Sequence, residues 1–516
     1  MNRLHRDQHR KEGVPAACSA AAGAQLAGPV NVAGIHIPSH GGRWHKVLIP
    51  ALALVTLVCS NAAPAIDGAY DPGYALGGRR TVSAAGYHSL VGVHLRPDRR
   101  ALLAGSCSGF ATNGSIVTTL CAAELSTEGA LTDYGPPPAD TVGGAVAMTE
   151  LQPQQPGESF YANDSAIDGN GRLLIAAETI FNGSSRASLA LLGPRGDVLA
   201  GVFVRAPGTN ELDNGRFQAI IVDSENRAVV AGSVRRTNGR YSLLVMRFNS
   251  DLNPDPTFGN NGSVRVDYVD RNSNAADIEI DSQGRILVLC NQWETDFFAT
   301  FNTLYRFTST GAIDTTFGSG GETTIGSTID AQAGGLAIDA SDRPIVLGTT
   351  EDPFQGDTDL YVARFLPDGN PDISFYPIPG FGGGYRVIEA EVELSLGPNE
   401  APGDVVIQTN GKILLVATAL RIDGGGGSYF FSMRLLANGN NDPGYGVGGA
   451  GVGTYAGAPS AGFGDTGVAQ VLDPTGFLYV AGESRSTDQF SIPAFGIARL
   501  QNMDAVEPSL FANGFD

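Results

Sequence analysis

The chain has 516 residues, 69 of them glycine and 29 proline, and a formal net charge of −20. An acidic surface repels nucleic acid and anionic lipid, so neither is expected as a partner. Seven histidines occur, and His5, His9, His36, His40 and His45 all precede residue 66. His88 and His94 remain, too few for a three-histidine metal centre.

Residues 1–42 are polar and lack apolar periodicity. Arg43, Trp44, His45 and Lys46 then flank the apolar run Val47–Val58, and Ala63-Pro64-Ala65 follows. A basic flank, a short apolar core and small residues read as a cleaved secretory signal. The run falls short of the ~20 residues that span a bilayer. Cys59 would suit a lipid anchor, but Val58 stands where a small residue is expected. Residues 1–65 are therefore read as leader and signal, with Val32 an alternative start that leaves residues 1–31 untranslated. Export is expected, to the periplasm, the cell surface or the medium. The rest of the chain is near −24 and keeps one lysine, Lys412; solubility explains that charge.

Asp71-Pro-Gly-Tyr74 is a turn, followed by the strand-like Arg79–Ala84. After it comes a repeat, seen best in Ala275–Gly321. Ile278 and Ile280 mark one strand, Gln283–Gly284 a two-residue turn, Arg285–Cys290 a second strand and Leu304–Phe307 a third. The residue after the turn, with its apolar run, recurs at Arg100, Arg172, Arg227, Arg285, Arg343, Lys412 and Phe477. The separations are 72, 55, 58, 58, 69 and 65 residues. Third strands carry Arg247, Arg306, Arg364, Arg434 and Arg499 in one register, with Glu124 and Leu191 there in the first two copies. The turn Asp-x-x-Phe/Tyr recurs at Asp255, Asp314, Asp372 and Asp442, and is degraded near Asp133–Tyr134 and Asp197. The Asp71 turn precedes the first repeat, and no such turn follows the last. A ring explains both. The expected fold is all-β: a propeller of four-stranded blades, seven in number, closed by the N-terminal strand and spanning 66–502. Residues 503–516 form a tail, whose EPSLFANGFD looks like the short Phe-Gly-Phe ends of some exported proteins.

The D-x-x-F-G turns (Asp255–Gly259, Asp314–Gly318), the G-[KR]-I-L runs (Gly284–Leu287, Gly411–Leu414) and the strands ending Arg-Leu/Phe resemble the delta-60 repeat family of bacterial β-propeller-like proteins. The resemblance spans roughly residues 67–500 and is strongest over 223–500. It implies a propeller-like fold and an exported protein, and brings no catalytic residues with it.

Cys107 and Cys121 flank the turn Asn113–Gly114, and equal counting places them opposite one another. A disulfide is expected in an oxidising compartment, with two free core thiols the alternative. Cys290 replaces the small Gly232, Gly348 and Gly482 and reads as a buried core residue. His88 and His94 read as ordinary strand residues, since no motif supplies a serine nucleophile. Asp251/Asn253/Asp255, Asp368/Asn370/Asp372 and Asn438/Asn440/Asp442 have the opening spacing of a calcium loop. They lack its later glutamate, and residues such as Pro256 and Ile373 stand where it needs glycine. Such residues also form polar turns that bond their own backbone, the preferred reading. Calcium is the one cofactor the pattern raises.

The repeated arginines are expected to pair with nearby carboxylates, such as the turn aspartate, because repetition argues for structure. Gly424–Gly427 reads as a hairpin tip. Trp293, Phe297, Phe298 and Phe301 are a candidate patch for a carbohydrate or protein ligand, or packing between blades. Asp277, Glu279 and Asp404 are candidates to face a central channel. Two function classes follow: a secreted binding or scaffold module, and a calcium-assisted hydrolase or lyase using channel carboxylates. Scarce histidine and the symmetry of the polar residues favour the first. A monomer without a membrane span after cleavage is expected.

Overall fold

The computed structural model describes residues 69–502, apart from 76–78, 83–86, 111–115, 135–147, 152–157, 204–214, 295–299, 329–330, 352–356, 378–382, 390–398, 421–427, 447–451, 456–465 and 485–493. The leader and tail, Phe297, Phe298 and Gly424–Gly427 lie outside the described residues. Strand β1 is Arg79–Val82. Blade 1 is β2 (Tyr87–Leu95), β3 (Ala101–Phe110), β4 (Ile116–Leu125) and β5 (Met148–Leu151). Blade 2 is β6 (Ser159–Ile167), β7 (Leu173–Phe181), β8 (Ser184–Leu192) and β9 (Val198–Phe203). Blade 3 is β10 (Gly215–Val222), β11 (Ala228–Arg235), β12 (Tyr241–Phe248) and β13 (Ser263–Val266). Blade 4 is β14 (Arg271–Ile280), β15 (Ile286–Glu294), β16 (Thr300–Phe307) and β17 (Glu322–Thr328). Blade 5 is β18 (Gln332–Ile338), β19 (Pro344–Glu351), β20 (Thr358–Arg364) and β21 (Tyr385–Ile388). Blade 6 is β22 (Glu400–Ile407), β23 (Ile413–Leu420), β24 (Ser428–Leu435) and β25 (Val452–Tyr455). Blade 7 is β26 (Thr466–Leu472), β27 (Phe477–Ser484) and β28 (Ala494–Gln501), with β1 as its fourth strand. The result is a seven-bladed propeller of four-stranded antiparallel sheets.

The second strand of each blade is apolar without alternation because both of its faces are covered. Leu173–Ala177 and Ile286–Cys290 are buried at every position. Each blade packs on two neighbours, as where Val229 and Val245 of blade 3 meet Ile278 and Val288 of blade 4. Burying each such side chain contributes roughly 1.5–3 kcal/mol. The turn between first and second strands is longer than the sequence suggests. It runs Asp281–Gly284, with Gly284 at φ 74°. Asp281 Oδ1 accepts the N–H groups of Gln283 (3.0 Å) and Arg285 (2.9 Å), which draws the loop shut.

The third-strand arginines hold the seams. Arg306 Nε donates to Asp314 Oδ2 at 2.8 Å, and its guanidinium lies 4.6 Å over the Phe317 ring. Its Nη1 donates to the carbonyl of Pro367 in the next blade. Arg247 repeats this with Asp255, Phe258 and the Ser309 carbonyl. Arg364 does so with Asp372, Phe375 and the Ala437 carbonyl. Arg434, fully buried, pairs with Asp442, lies over Tyr445 and reaches Asn502 Oδ1. Blade 1 swaps the charges: Arg96 from the end of β2 pairs with Glu124, lies over Tyr134 and reaches the Gly171 and Pro194 carbonyls of blade 2. In blade 2, where Leu191 replaces the arginine, Arg172 reaches the Ser250 carbonyl of blade 3.

Closure uses the same contact. Arg499 donates to Asp71 at 2.7 Å across 428 residues, lies over Tyr74, and reaches the Thr127 carbonyl of blade 1. The N–H of Asp71 bonds the Arg499 carbonyl, and that of Ala75 bonds Glu128 O. The Asp71 turn is thus the missing turn of blade 7. Burial by itself would raise the pKa of Asp314, but hydrogen bonds from Thr316 and Arg306 hold it below the usual carboxylate range.

Asp314→Ala leaves Arg306 buried without its partner and is expected to cost about 3–5 kcal/mol in urea unfolding. Asp251→Ala, at an exposed position, is expected to stay within about 0.5 kcal/mol. Equal losses would mean that the Arg306–Asp314 pair does not carry the seam.

Candidate functional site

The first strands of the blades surround a central channel, with a cavity of about 520 Å³. Every one of these strands carries a bulge, and the residue after it falls eight positions before the repeat anchor. These residues are Gly92, Asp164, Ala219, Asp277, Gly335, Asp404 and Ala469. Aspartate therefore stands in blades 2, 4 and 6, and a small residue in the others.

A bulge frees backbone N–H groups from the ladder, and each aspartate takes up two of them. Asp164 Oδ1 accepts the N–H of Ser165 in its own blade, and Oδ2 that of Ile220 in blade 3, both at 2.7 Å. Asp277 does the same with Ile278 and with Leu336 of blade 5, at 2.7 and 2.6 Å. Asp404 bonds Val405 and Gln470 of blade 7, at 2.7 and 2.9 Å. The three carboxylates staple blades 2–3, 4–5 and 6–7. At the 5–6 seam, which has no staple, a small residue allows close approach: a Cβ on Gly335 would come within 3.2 Å of Asp404 Cα.

Two further positions along, the blades differ. Blade 1 has His94 and blade 4 has Glu279; the others have Ala166, Ile221, Ala337, Val406 and Val471. His94 Nε2 lies 2.8 Å from Ser165 Oγ of blade 2. Gln218, the bulged residue of blade 3, also lines the channel, and its Oε1 is buried without a donor among the described residues. Burial pushes Asp164 up to about 7, against the pull of its two N–H bonds. Asp404 is likewise at about 7. Burial, backed by the charges of Asp404 and Asp164, takes Glu279 to about 8, although the Ile280 N–H opposes it. Asp277 is raised well above the carboxylate range by burial and by Glu279. Burial lowers His94 to about 4 and keeps it neutral.

Asp277, Glu279 and Asp404 thus line one channel, together with Asp164 and Gln218, which the sequence reading did not single out. A signal for Asp164 existed, since it precedes Arg172 by the same eight residues that separate Asp277 from Arg285.

Asp255 accepts from Arg247 at Oδ2 and from Thr257 at Oδ1; Asp372 accepts from Arg364 at Oδ2 and from Ser374 at Oδ1. Asn249 Oδ1 accepts the N–H groups of Asp251 and Asn253, and Asp368 bonds Asn370 twice. Phe301 is buried, with the Arg271 guanidinium 5.2 Å over its ring. Trp293 is half-buried against Tyr241 of blade 3, ring centroids 6.4 Å apart. Both contribute packing. Cys290 is buried and free. Cys107 and Cys121 are joined in a disulfide, Cα–Cα 5.9 Å. They are not directly opposed: Cys107 faces Thr119, and Cys121 faces Gly105. The bridge runs diagonally, two residues out of the register that equal counting from Gly114 gives.

Fold and channel together define a β-propeller repeat protein. Residues 226–258 and 341–375 match a family described as "Domain of unknown function (DUF5122) beta-propeller". Both segments include a second strand or its run-in and the Asp-x-x-Phe turn of one blade. No curated protein matches the chain. Similar solved structures include the polysaccharide lyase Uly1, at 8% identity over 84% of this chain and 92% of that one, TM-score 0.42. A PL25 ulvan lyase bound to a GlcA–Rha3S saccharide shares 10% identity over 82% and 96%, TM-score 0.45. The acylaminoacyl peptidase of Pyrococcus horikoshii shares 11% over 81% and 53%, TM-score 0.41. Among the described residues, no helix is long and apolar enough to cross a membrane.

A carboxyl with a raised folded pKa contributes stability that is full below its unfolded value and is lost as pH climbs through the folded one. For Asp164, Asp404 and Glu279 the loss falls as pH rises toward about 7 to 8. The Arg-paired turn aspartates, held low, lose their contribution only as pH falls below the usual carboxylate range. The melting temperature is expected to peak in mild acid and to fall into the alkaline range, less steeply in Glu279→Gln. A melting temperature that climbs from mild acid into alkali would show the N–H bonds outweighing burial.

Proposed function

We propose that this is an exported binding module of the delta-60 repeat type, holding a neutral, hydroxyl-rich ligand of the carbohydrate class in its channel. One observation carries the reading. The repeated polar groups are spent on the frame, whereas the unrepeated Glu279 and Gln218 face the channel with hydrogen-bonding capacity left. Glu279, protonated at neutral pH, can donate, and Gln218 Oε1 can accept. Besides His94, the five other residues at the Glu279 register, Ala166, Ile221, Ala337, Val406 and Val471, are all apolar, so the polar side chains of that layer come from blades 1 and 4 alone.

The test is a melting-shift screen of neutral oligosaccharides. A ligand at 100 times its Kd is expected to add about 2.7 kcal/mol, read as a rise in melting temperature. Glu279→Ala and Gln218→Ala are expected to lose that rise. A panel that shifts nothing, or a shift that both variants keep, overturns the reading. The alternative, a calcium-assisted hydrolase or lyase, draws on the same four carboxylates. Glycan cleavage that needs calcium and stops in chelator would replace the binding reading with it.

A further inference from the structure

We propose that His88, Cys107 and Cys121 form a redox-gated site for copper(I), closed while the two sulfurs are joined and opened when they are reduced. Three adjacent strands bring the residues together. His88 of β2 stands directly opposite Cys107 of β3, and Cys121 of β4 reaches Cys107 along the diagonal. All three side chains are buried. His88 Nδ1 lies 3.0 Å from Cys107 Sγ, and the three donor atoms lie within 4.8 Å of one another. Among the described residues this is the one group of three such donors so placed.

The surroundings favour a soft ion. Gly105, opposite Cys121, leaves room for the Phe495 ring of blade 7, which a Cβ there would meet at 2.9 Å. That ring packs edge-on to His88, centroids 5.8 Å apart. Thiolate donors select soft metals, and a dry pocket excludes the water that harder ions keep. Two thiolates and one imidazole complete a trigonal copper(I) set. Metal–sulfur and metal–nitrogen bonds of about 2.3 and 2.0 Å put donors under about 4 Å apart, within the reach of side-chain rotation here.

The chemistry balances. A dithiol gives two electrons and two protons to the Cys107–Cys121 bond and becomes a disulfide itself. The two cysteines are then thiols. Copper(I) displaces both thiol protons and binds the two sulfurs and His88 Nδ1, with no change in its oxidation state.

The test uses the full chain carrying Cys18→Ala, Cys59→Ala and Cys290→Ala. A tertiary phosphine reduces it and becomes the phosphine oxide, water supplying the oxygen and the thiol protons. Copper(I) is then titrated without oxygen against a coloured phenanthroline chelator. The reduced protein is expected to hold one equivalent that the oxidised protein lacks, and Cys107→Ser with Cys121→Ser is expected to lose it. His88→Asn is expected to weaken it, and X-ray absorption to show sulfur and nitrogen donors together. Equal copper in the reduced and oxidised protein overturns the proposal, whether or not the serine variant folds. Undiminished affinity in His88→Asn overturns the three-donor site.

Discussion

The fold depends on hiding guanidinium groups between sheets. A buried positive charge without a partner costs about 3–5 kcal/mol, so each arginine demands a complete setting. It needs a carboxylate from its own turn and an aromatic face, and its spare N–H groups need a carbonyl from the next blade. Meeting the charge therefore also orients the turn and fixes the seam. Blade 1 shows that pairing rather than position is the constraint. There Glu124 takes the arginine's place and Arg96, from the end of β2, supplies the guanidinium, yet the contact with blade 2 survives.

Ring closure follows from the same demand. Arg499 ends the last third strand with no Asp-x-x-Phe turn after it, and Asp71 and Tyr74 meet its needs from the far end of the chain. Pairing of β1 with β28 then covers what would be an open edge. The aspartate staples cannot manage closure alone. Alternation around an odd number of blades must fail once, and it fails where Ala469 of blade 7 meets Gly92 of blade 1. That seam relies on the Arg499 contact.

Much of this was legible in the sequence. Second strands buried on both faces read as unbroken apolar runs, and aspartate and glycine marked the turns. The recurring arginine in one register announced a structural pair. Other features were hidden by the bulges. One extra residue in each first strand decides which side chains face the next blade, and no composition signal marks it. The role of Asp164 could be seen only by aligning it with Asp277 and Asp404 across blades that alternate with Gly and Ala. The disulfide fell two residues from the opposed register for a related reason: counting from Asn113–Gly114 assumes a symmetric tip, and the ladder Ala101–Phe110 with Ile116–Leu125 is centred one residue away. The aromatic segment read either as a ligand patch or as packing between blades; Phe301 is buried under Arg271 and Trp293 is half-buried against Tyr241, while Phe297 and Phe298 lie outside the described residues.

Symmetry separates the residues that build this protein from those free to act. A polar group present in most blades meets a need that every blade has, as the turn aspartates do. Glu279 and His94 share one register in two different blades and answer no common need. Burial moves them in opposite directions, the acid to about 8 and the base to about 4, and leaves both uncharged at neutral pH. The charge of the channel at neutral pH therefore rests with its aspartates, Asp164 and Asp404 at about 7, and not with these two residues. A net charge far from zero works instead on the outer surface, where like charges keep copies of the protein apart.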